Sequence, residues 1–100
     1  MTMHIVTLTT DFGTHDYYVP VLKGAMLTQH QAINFVDVSH NITNHDIVQA
    51  AFVLKNAWSS FPDRTIHVVS VNNFGGEQKR FLAILHQNHY FIVPDNGIFL

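Results

Sequence analysis

The sequence has 100 residues, 47% of them hydrophobic and 12% charged, which excludes a disordered chain and fits one domain or part of one. The formal net charge of -2 gives no electrostatic reason to expect nucleic acid or an anionic membrane as a partner. The chain has no cysteine, so disulfide and thiol chemistry are excluded. No apolar run approaches the roughly 20 residues that span a bilayer, and no signal peptide is evident. We therefore expect a cytoplasmic protein.

The first part of the chain predicts two strands separated by a helix. Residues 4–8 and 33–39 are rich in β-branched and apolar side chains, as strands are. From Val19 the apolar residues follow helical spacing. Pro20 fits the first turn of that helix, where its missing N–H costs nothing.

The rest of the chain predicts a second helix and three more strands. The helix is expected over about residues 46–59, with Thr43 or Asn44 as its capping side chain. Residues 65–71 form a near-continuous apolar run, typical of a strand covered on both faces. A hairpin follows, with strands at 81–85 and 90–93, and a tight turn at 94–97. The order β-α-β-α-β-β-β predicts an α/β fold with a mostly parallel sheet, flanking helices and a mixed hairpin edge.

Two carboxylates, Asp11 and Asp16, lie between the first strand and the first helix, around Gly13. This is the carboxyl edge of a parallel sheet, where ligands usually bind. From its position Asp11 can accept both hydrogens of a vicinal diol such as ribose, hold a metal, cap the next helix or make a turn bond. Asp16 is either the N-cap of the helix or a functional group.

The loop 72–80 follows the third strand and should leave the sheet at the same edge as Asp11. Its paired glycines, Gly75 and Gly76, would let backbone N–H groups approach a ligand, or would simply form a turn. The spacings of a P-loop or a dinucleotide fingerprint are missing.

Eight histidines are a high number for this length, so a metal site has to be considered. No pair has the i, i+4 spacing on a predicted helix, and no cysteine assists. We expect most of them at the surface or in turns, and no bound metal. His15, His40 and His45 lie in predicted loops at the strand ends and are candidates for direct ligand contact.

Several motifs occur in a characteristic order along the whole chain. Together they resemble the N-terminal domain of the S-adenosyl-L-methionine hydroxide adenosyltransferases, which are related to the enzymes that make fluoro- and chloro-adenosine. Any one motif is weak, and the ordered set is specific. The motifs lie at residues 9–13, 16–19, 23–24, 36–40, 50–52, 61–62, 65–69 and 94–97.

The resemblance implies a fold context and a reaction. Residues 1–100 would be the N-terminal adenosyl-binding domain of a longer protein with a C-terminal β-barrel. The full-length protein would be a homotrimer, with the substrate between one subunit's N-terminal domain and its neighbour's C-terminal domain. Water, activated as hydroxide, would displace methionine from the ribose C5′ of S-adenosyl-L-methionine and give adenosine. The adenosyl compound is the substrate, and no cofactor is implied.

The resemblance also implies roles for residues in the first half of the chain. Asp11 would hold the ribose hydroxyls, with Phe12 beside it in the substrate-binding loop. Asp16 and Tyr18 would line the methionine end. His45 would line the pocket near the ribose, at a position that is aromatic and larger in the halide-using relatives.

The chain departs from the family after the third strand. Hydroxide-using members have an aspartate there, followed by an arginine, whereas this chain has Asn72 and then Lys79 and Arg80. These three are the catalytic candidates, and Asn72 and Gly75 are also candidates for substrate binding. An amide cannot take a proton as a carboxylate can, and a lysine lacks the guanidinium fork. Glu77 could supply a carboxylate instead. The alternative function is a non-catalytic S-adenosyl-L-methionine or adenosine-binding protein with a decayed activation loop.

Overall fold

The computed structural model describes residues 3–14, 16–44, 46–71 and 81–94. They form five strands, two helices and one 3₁₀ turn in the predicted order. The strands are β1 (His4–Thr10), β2 (Ile33–Ser39), β3 (Ile66–Ser70), β4 (Phe81–His86) and β5 (His89–Pro94). The helices are α1 (Tyr18–Gln29) and α2 (Ile47–Ala57), and the 3₁₀ turn at Trp58–Ser60 follows α2.

The five strands form one sheet in the order β2-β1-β3-β5-β4. β1 is parallel to both β2 and β3, and β3 is parallel to β5. β4 lies at the edge and is antiparallel to β5. The predicted α/β fold, with a mostly parallel sheet that is mixed at the hairpin edge, is confirmed.

The two faces of the sheet are covered differently. Apolar residues of α2, of the sheet and of the connections next to them form a close-packed cluster that removes apolar surface from water: Ile42, Ala50, Leu54, Val69, Val71, Phe91 and Val93. Neighbouring strand residues alternate between faces, and on the other face Leu22 and Met26 of α1 border an apolar cleft of about 620 Å³. No helix in the described part of the chain is long and apolar enough to cross a membrane.

The N-terminus of α2 differs from the sequence prediction. Asp46 is the N-cap, and its Oδ1 accepts a hydrogen bond of 2.9 Å from the amide of Gln49. The prediction of Thr43 or Asn44 as the cap was wrong because a capping side chain must directly precede the helix to reach the amides of its first turn. Thr43 instead accepts from the amide of Asp46 through its carbonyl oxygen, at 2.9 Å.

Two tight turns depend on left-handed backbone. Gln87 and Asn88 have φ values of 48° and 64°, as in a two-residue hairpin of the primed type. The predicted hairpin is therefore confirmed. Gly13, between β1 and α1, has a φ of 77°, where a side chain is disfavoured. The turn predicted at 94–97 extends beyond Pro94, outside the described residues.

Three of the six described histidines are buried: His40, His67 and His89. The other three are exposed, and His40 lies in the bend that follows β2, so four of these six are at the surface or in a turn, as expected, whereas His67 and His89 are buried within strands. His67 Nδ1 lies 2.8 Å from Thr7 Oγ1, and His67 Nε2 lies 3.0 Å from His89 Nδ1. The ring also stacks on Phe91 at 5.0 Å between centroids. Burial, reinforced by the charge of His89, lowers the pKa of His67 to about 4.

This lowered pKa predicts acid sensitivity. Above pH 6.5, the ordinary pKa, His67 is neutral in both states, so its environment imposes no penalty. As the pH falls from 6.5 towards 4, the unfolded state binds a proton that the folded state does not, and the free energy of unfolding falls by about 2 kcal/mol between pH 7 and pH 4.5. Urea denaturation of His67→Gln should show a smaller loss over this range. The exposed His30→Gln variant is the control and should behave like wild type. An unchanged pH dependence in His67→Gln would contradict the assignment.

Replacing Gly13, in the turn before α1, and Gly24, within α1, by alanine should change the free energy of unfolding in opposite directions. Gly13→Ala should lower the free energy of unfolding by about 1 kcal/mol because its φ is positive. Gly24→Ala should raise it by about 0.5–1 kcal/mol because alanine favours the helix. An added Cβ meets no atom within 4 Å at either position, so steric overlap does not complicate the comparison. Urea denaturation measures both, and destabilisation by Gly24→Ala equal to that by Gly13→Ala would contradict the backbone explanation.

Candidate functional site

The carboxyl ends of three parallel strands meet at one edge of the sheet. Thr10, the last residue of β1, pairs with Ser70, the last residue of β3. On the other side Thr9 pairs with Ser39 of β2, after a shift in register that gives β2 one extra residue. Such a bulge bends the strand and re-aims its side chains. The chain therefore leaves β1, β2 and β3 at this edge, as the sequence predicted for Asp11.

The backbone amides of the turn after β1 already donate hydrogen bonds to protein oxygens. The amides of residues 11–13 donate in succession to the Ser70 carbonyl oxygen at 3.4 Å, the Thr10 hydroxyl at 3.2 Å and the His40 carbonyl oxygen at 2.6 Å. An anion-binding nest needs successive amides directed at the ligand, and here they are directed at the protein. This turn therefore offers a ligand its side chains rather than its backbone amides.

A chain of hydrogen bonds runs from the end of β1 through β2 to α1. Thr10 Oγ1 lies 2.7 Å from His40 Nδ1, and His40 Nε2 lies 2.8 Å from Asp37 Oδ1. The other oxygen of the same carboxylate, Oδ2, accepts from Lys23 Nζ at 2.8 Å. Burial acts to raise the pKa of Asp37, but the hydrogen bonds from Lys23 and His40 and the charge of Lys23 outweigh it and hold that pKa below its usual value. Asp37 is therefore a carboxylate at neutral pH.

Aromatic side chains border the same loop. The rings of Phe12 and Tyr18 lie 6.2 Å apart, and those of Tyr17 and Tyr18 lie 4.9 Å apart. Tyr17 is 64% exposed and Tyr18 52%, so both present ring surface to solvent. Asp16 is exposed, and its Oδ1 accepts from the Tyr17 amide at 2.8 Å. The N-cap of α1 is Tyr17 without a side-chain cap, so the interpretation of Asp16 as the N-cap was wrong.

Four of the predicted site residues, Asp11, Phe12, Asp16 and Tyr18, lie in this β1–α1 segment, and Phe12 and Tyr18 are in ring contact. Asp11 is partly buried and directly follows β1. The other candidates, His45, Asn72, Gly75, Lys79 and Arg80, fall outside the described residues, as do His15 and Glu77. The roles of all of them stay predictions.

His40 was a candidate for direct ligand contact, but the structure shows it buried, with both ring nitrogens bonded to protein groups. The sequence reasoning did not find its network with Thr10, Asp37 and Lys23. The motifs at 9–13, 23–24 and 36–40 contained all four members, but their contact depends on the strand register. Among the described residues, no group of three histidine, aspartate or glutamate side chains is placed to hold a metal ion.

The chain is similar to known proteins along nearly its whole length. The family model described as the SAM hydroxide adenosyltransferase N-terminal domain matches residues 6–100. An (R)-S-adenosyl-L-methionine hydrolase of Methanocaldococcus jannaschii is 36% identical, over 97% of this chain and 38% of its own length. A fluorinase of an Actinoplanes species is 29% identical, over 80% of this chain and 27% of its own length.

A solved structure also matches nearly the whole chain. The crystal structure of a conserved hypothetical protein from Thermus thermophilus matches with a TM-score of 0.84 and 32% identity, over 97% of this chain and 40% of that one. The chain thus spans well under half the length of the proteins that it matches. The family-model match together with the 36% identical relative shows that the chain belongs to the SAM hydroxide adenosyltransferase N-terminal domain family.

Proposed function

We propose that the intact protein cleaves S-adenosyl-L-methionine to adenosine and methionine, with water or hydroxide as the nucleophile at ribose C5′. The observation that carries the proposal is the position of Asp11, a carboxylate at the carboxyl edge of three parallel strands in a chain of this family. Curated relatives that match almost the whole of this chain are named (R)-S-adenosyl-L-methionine hydrolase, and this supports the hydrolytic reaction.

The chemistry of the turn favours a nucleoside over a nucleotide. The three amides of residues 11–13 already donate to protein oxygens, so they are poorly suited to hold a phosphate. Lys23, the cation described at this edge, is paired with Asp37. A carboxylate such as Asp11 suits the two hydroxyl donors of a ribose. S-adenosyl-L-methionine has a ribose diol that a carboxylate can bind, and it has no phosphate that would need amide or cationic donors.

The exposed groups at the start of α1 suit the other end of this substrate. The sulfonium and the amino group of the methionine portion are positively charged. Asp16 supplies a carboxylate, and Tyr17 and Tyr18 expose ring faces that attract cations. We therefore propose that Asp16 and Tyr18 line the methionine end and that Phe12, in contact with Tyr18, supports it.

The reaction is an in-line displacement. The water oxygen forms a bond to C5′ as the C5′–S bond breaks, its electron pair passes to the sulfur, and methionine leaves as a neutral thioether while the water loses a proton. The enzyme mainly has to aim the nucleophile and strip it of solvent. In the loop 72–80 we propose Asn72 and Gly75 as contacts, Lys79 or Arg80 as the charge that holds the hydroxide, and Glu77 as the proton acceptor. No cofactor takes part.

We further propose the assembly that completes the site. The family resemblance implies a C-terminal β-barrel domain in the intact protein, and we adopt it as part of the proposal. Three copies would assemble so that a neighbouring subunit closes the pocket over Asp11. The proposed place of action is the cytoplasm.

The role of Asp11 can be tested by binding and turnover. In the intact protein, Asp11→Ala should raise the Kd for adenosine about 10- to 100-fold because two charge-assisted hydrogen bonds are lost. Calorimetry measures the Kd, and chromatography measures adenosine released from S-adenosyl-L-methionine. The control is Asp63→Ala, an exposed aspartate just before β3 at the opposite edge of the sheet, which should bind like wild type.

Three outcomes separate the possibilities. Adenosine formation by wild type and its loss in Asp11→Ala would support the proposal. Wild-type binding without any adenosine above the blank after long incubation would instead support a non-catalytic adenosyl-binding protein. Unchanged binding in Asp11→Ala would contradict the assignment of Asp11 to the ribose.

A further inference from the structure

We propose that Thr10 and His40 are positioning residues that orient the Asp11 carboxylate towards the ribose hydroxyls, an inference that rests on the proposed function. Neither residue needs to touch the substrate. Both are buried, with exposed fractions of 0% for Thr10 and 5% for His40. Their effect on the ligand would pass through the backbone turn that contains Asp11.

The first observation is that His40 is hydrogen-bonded to residues on both sides of Asp11. Its ring lies 2.7 Å from the Thr10 hydroxyl, which itself accepts from the amide of Phe12. Its carbonyl oxygen accepts from the amide of Gly13 at 2.6 Å. One residue of the β2–α2 connection therefore holds the residues before and after Asp11.

The second observation is that the hydrogen bonds have one consistent direction. The Thr10 oxygen already accepts from the Phe12 amide, so its own hydrogen is best directed to His40 Nδ1. A ring nitrogen that accepts carries no hydrogen, and the ring hydrogen then lies on Nε2, where it donates to Asp37. In the opposite tautomer the hydrogen would lie on Nδ1. The Phe12 amide and His40 Nδ1 would then both donate to the Thr10 oxygen, and the hydroxyl hydrogen would need another acceptor.

The far end of the network is anchored by charge. The Asp37 carboxylate accepts from His40 with one oxygen and from Lys23 of α1 with the other. This arrangement fixes the plane of the imidazole ring, much as carboxylates orient ligating histidines. Strand β2 and helix α1, which both border the site, are thereby joined to the turn that carries Asp11.

Positioning of this kind matters because a carboxylate binds two vicinal hydroxyls only when its own place is well defined. Binding groups have to be held within about 0.5 Å of the productive geometry by the residues behind them. Removing the Thr10 hydroxyl would leave the partly buried Phe12 amide and a buried imidazole nitrogen without their partner. Such groups regain hydrogen bonds by moving, and a shift of the turn would displace Asp11.

The same strand provides a matched control. Thr7 of β1 makes a buried hydroxyl–imidazole hydrogen bond of 2.8 Å to His67, which has the same chemistry as the Thr10–His40 bond. Thr7 is 1% exposed, but it pairs with β3 in the middle of the strand, three residues before Thr10. Substitution of either threonine by valine removes a buried hydroxyl at nearly constant volume, but only the Thr10 hydroxyl is bonded within the turn that contains Asp11.

The experiment compares ligand discrimination in the intact protein. Calorimetry gives the Kd for adenosine and for 2′-deoxyadenosine, which lacks one of the two ribose hydroxyls. Thr10→Val should raise the Kd for adenosine about tenfold and change that for 2′-deoxyadenosine much less. The Kd for 2′-deoxyadenosine divided by the Kd for adenosine should therefore fall. Thr10→Ser, which keeps the hydroxyl, should restore the wild-type ratio, and Thr7→Val should lower the melting temperature but leave the ratio unchanged.

A second pair of variants covers the case in which Thr10→Val does not fold. His40→Asn places an amide oxygen near the position of Nδ1 and can still accept from Thr10, whereas His40→Gln reaches towards Asp37 instead. The ratio should be better preserved in His40→Asn than in His40→Gln, and the reverse order would overturn the inference.

The outcomes distinguish this inference from the function on which it rests. If wild type binds neither adenosine nor S-adenosyl-L-methionine, the proposed function fails and the inference fails with it. If wild type discriminates between the two nucleosides and Thr10→Val does so equally well, the inference alone is overturned. An equal fall in the ratio for Thr7→Val would also overturn it, because the effect would then be one of general stability.

Discussion

The parallel pairing of β1 with both β2 and β3 is the constraint on which the rest of the structure depends. It brings three strand ends to one edge, with Thr10 beside Ser70 and Thr9 beside Ser39. Loops from distant parts of the chain can then exchange hydrogen bonds, as the amide of Gly13 does with the carbonyl oxygen of His40. Parallel strands need crossover connections, and α1 and α2 supply them. The site is therefore a consequence of topology rather than of any one segment.

Strand β1 contains two buried threonine–histidine hydrogen bonds, and they illustrate how position changes the use of the same chemistry. Thr7 and His67 lie within the sheet, where burial and the nearby charge of His89 lower the pKa of His67 and keep its imidazole neutral to low pH. Thr10 and His40 lie at the edge, where a carboxylate and a lysine complete the network. The interior pair affects stability and its pH dependence. The edge pair is placed to affect the geometry of a ligand contact.

Much of the fold was predictable because hydrophobic period and turn residues are local signals. The order of the elements, the parallel first half and the hairpin at residues 87–88 all follow from such signals. The errors were also local and have physical reasons. Thr43 and Asn44 lie too far from the first turn of α2 to cap it, whereas Asp46 directly precedes it. Asp16 bonds the amide of Tyr17, which leaves the N-terminus of α1 without a side-chain cap.

The sequence by itself determined the α/β class, the place of Asp11 at the carboxyl edge and, through its ordered motifs, the family. These depend on composition, period and residue identity, which can be read without knowing distances. Only the tertiary structure decided which side chains support the site. Lys23, Asp37, His40 and Thr10 come from separate elements, and their hydrogen bonds depend on strand register and on a bulge in β2. Register is set by the packing of the whole sheet, so no local pattern could have shown that one buried histidine holds the turn around Asp11.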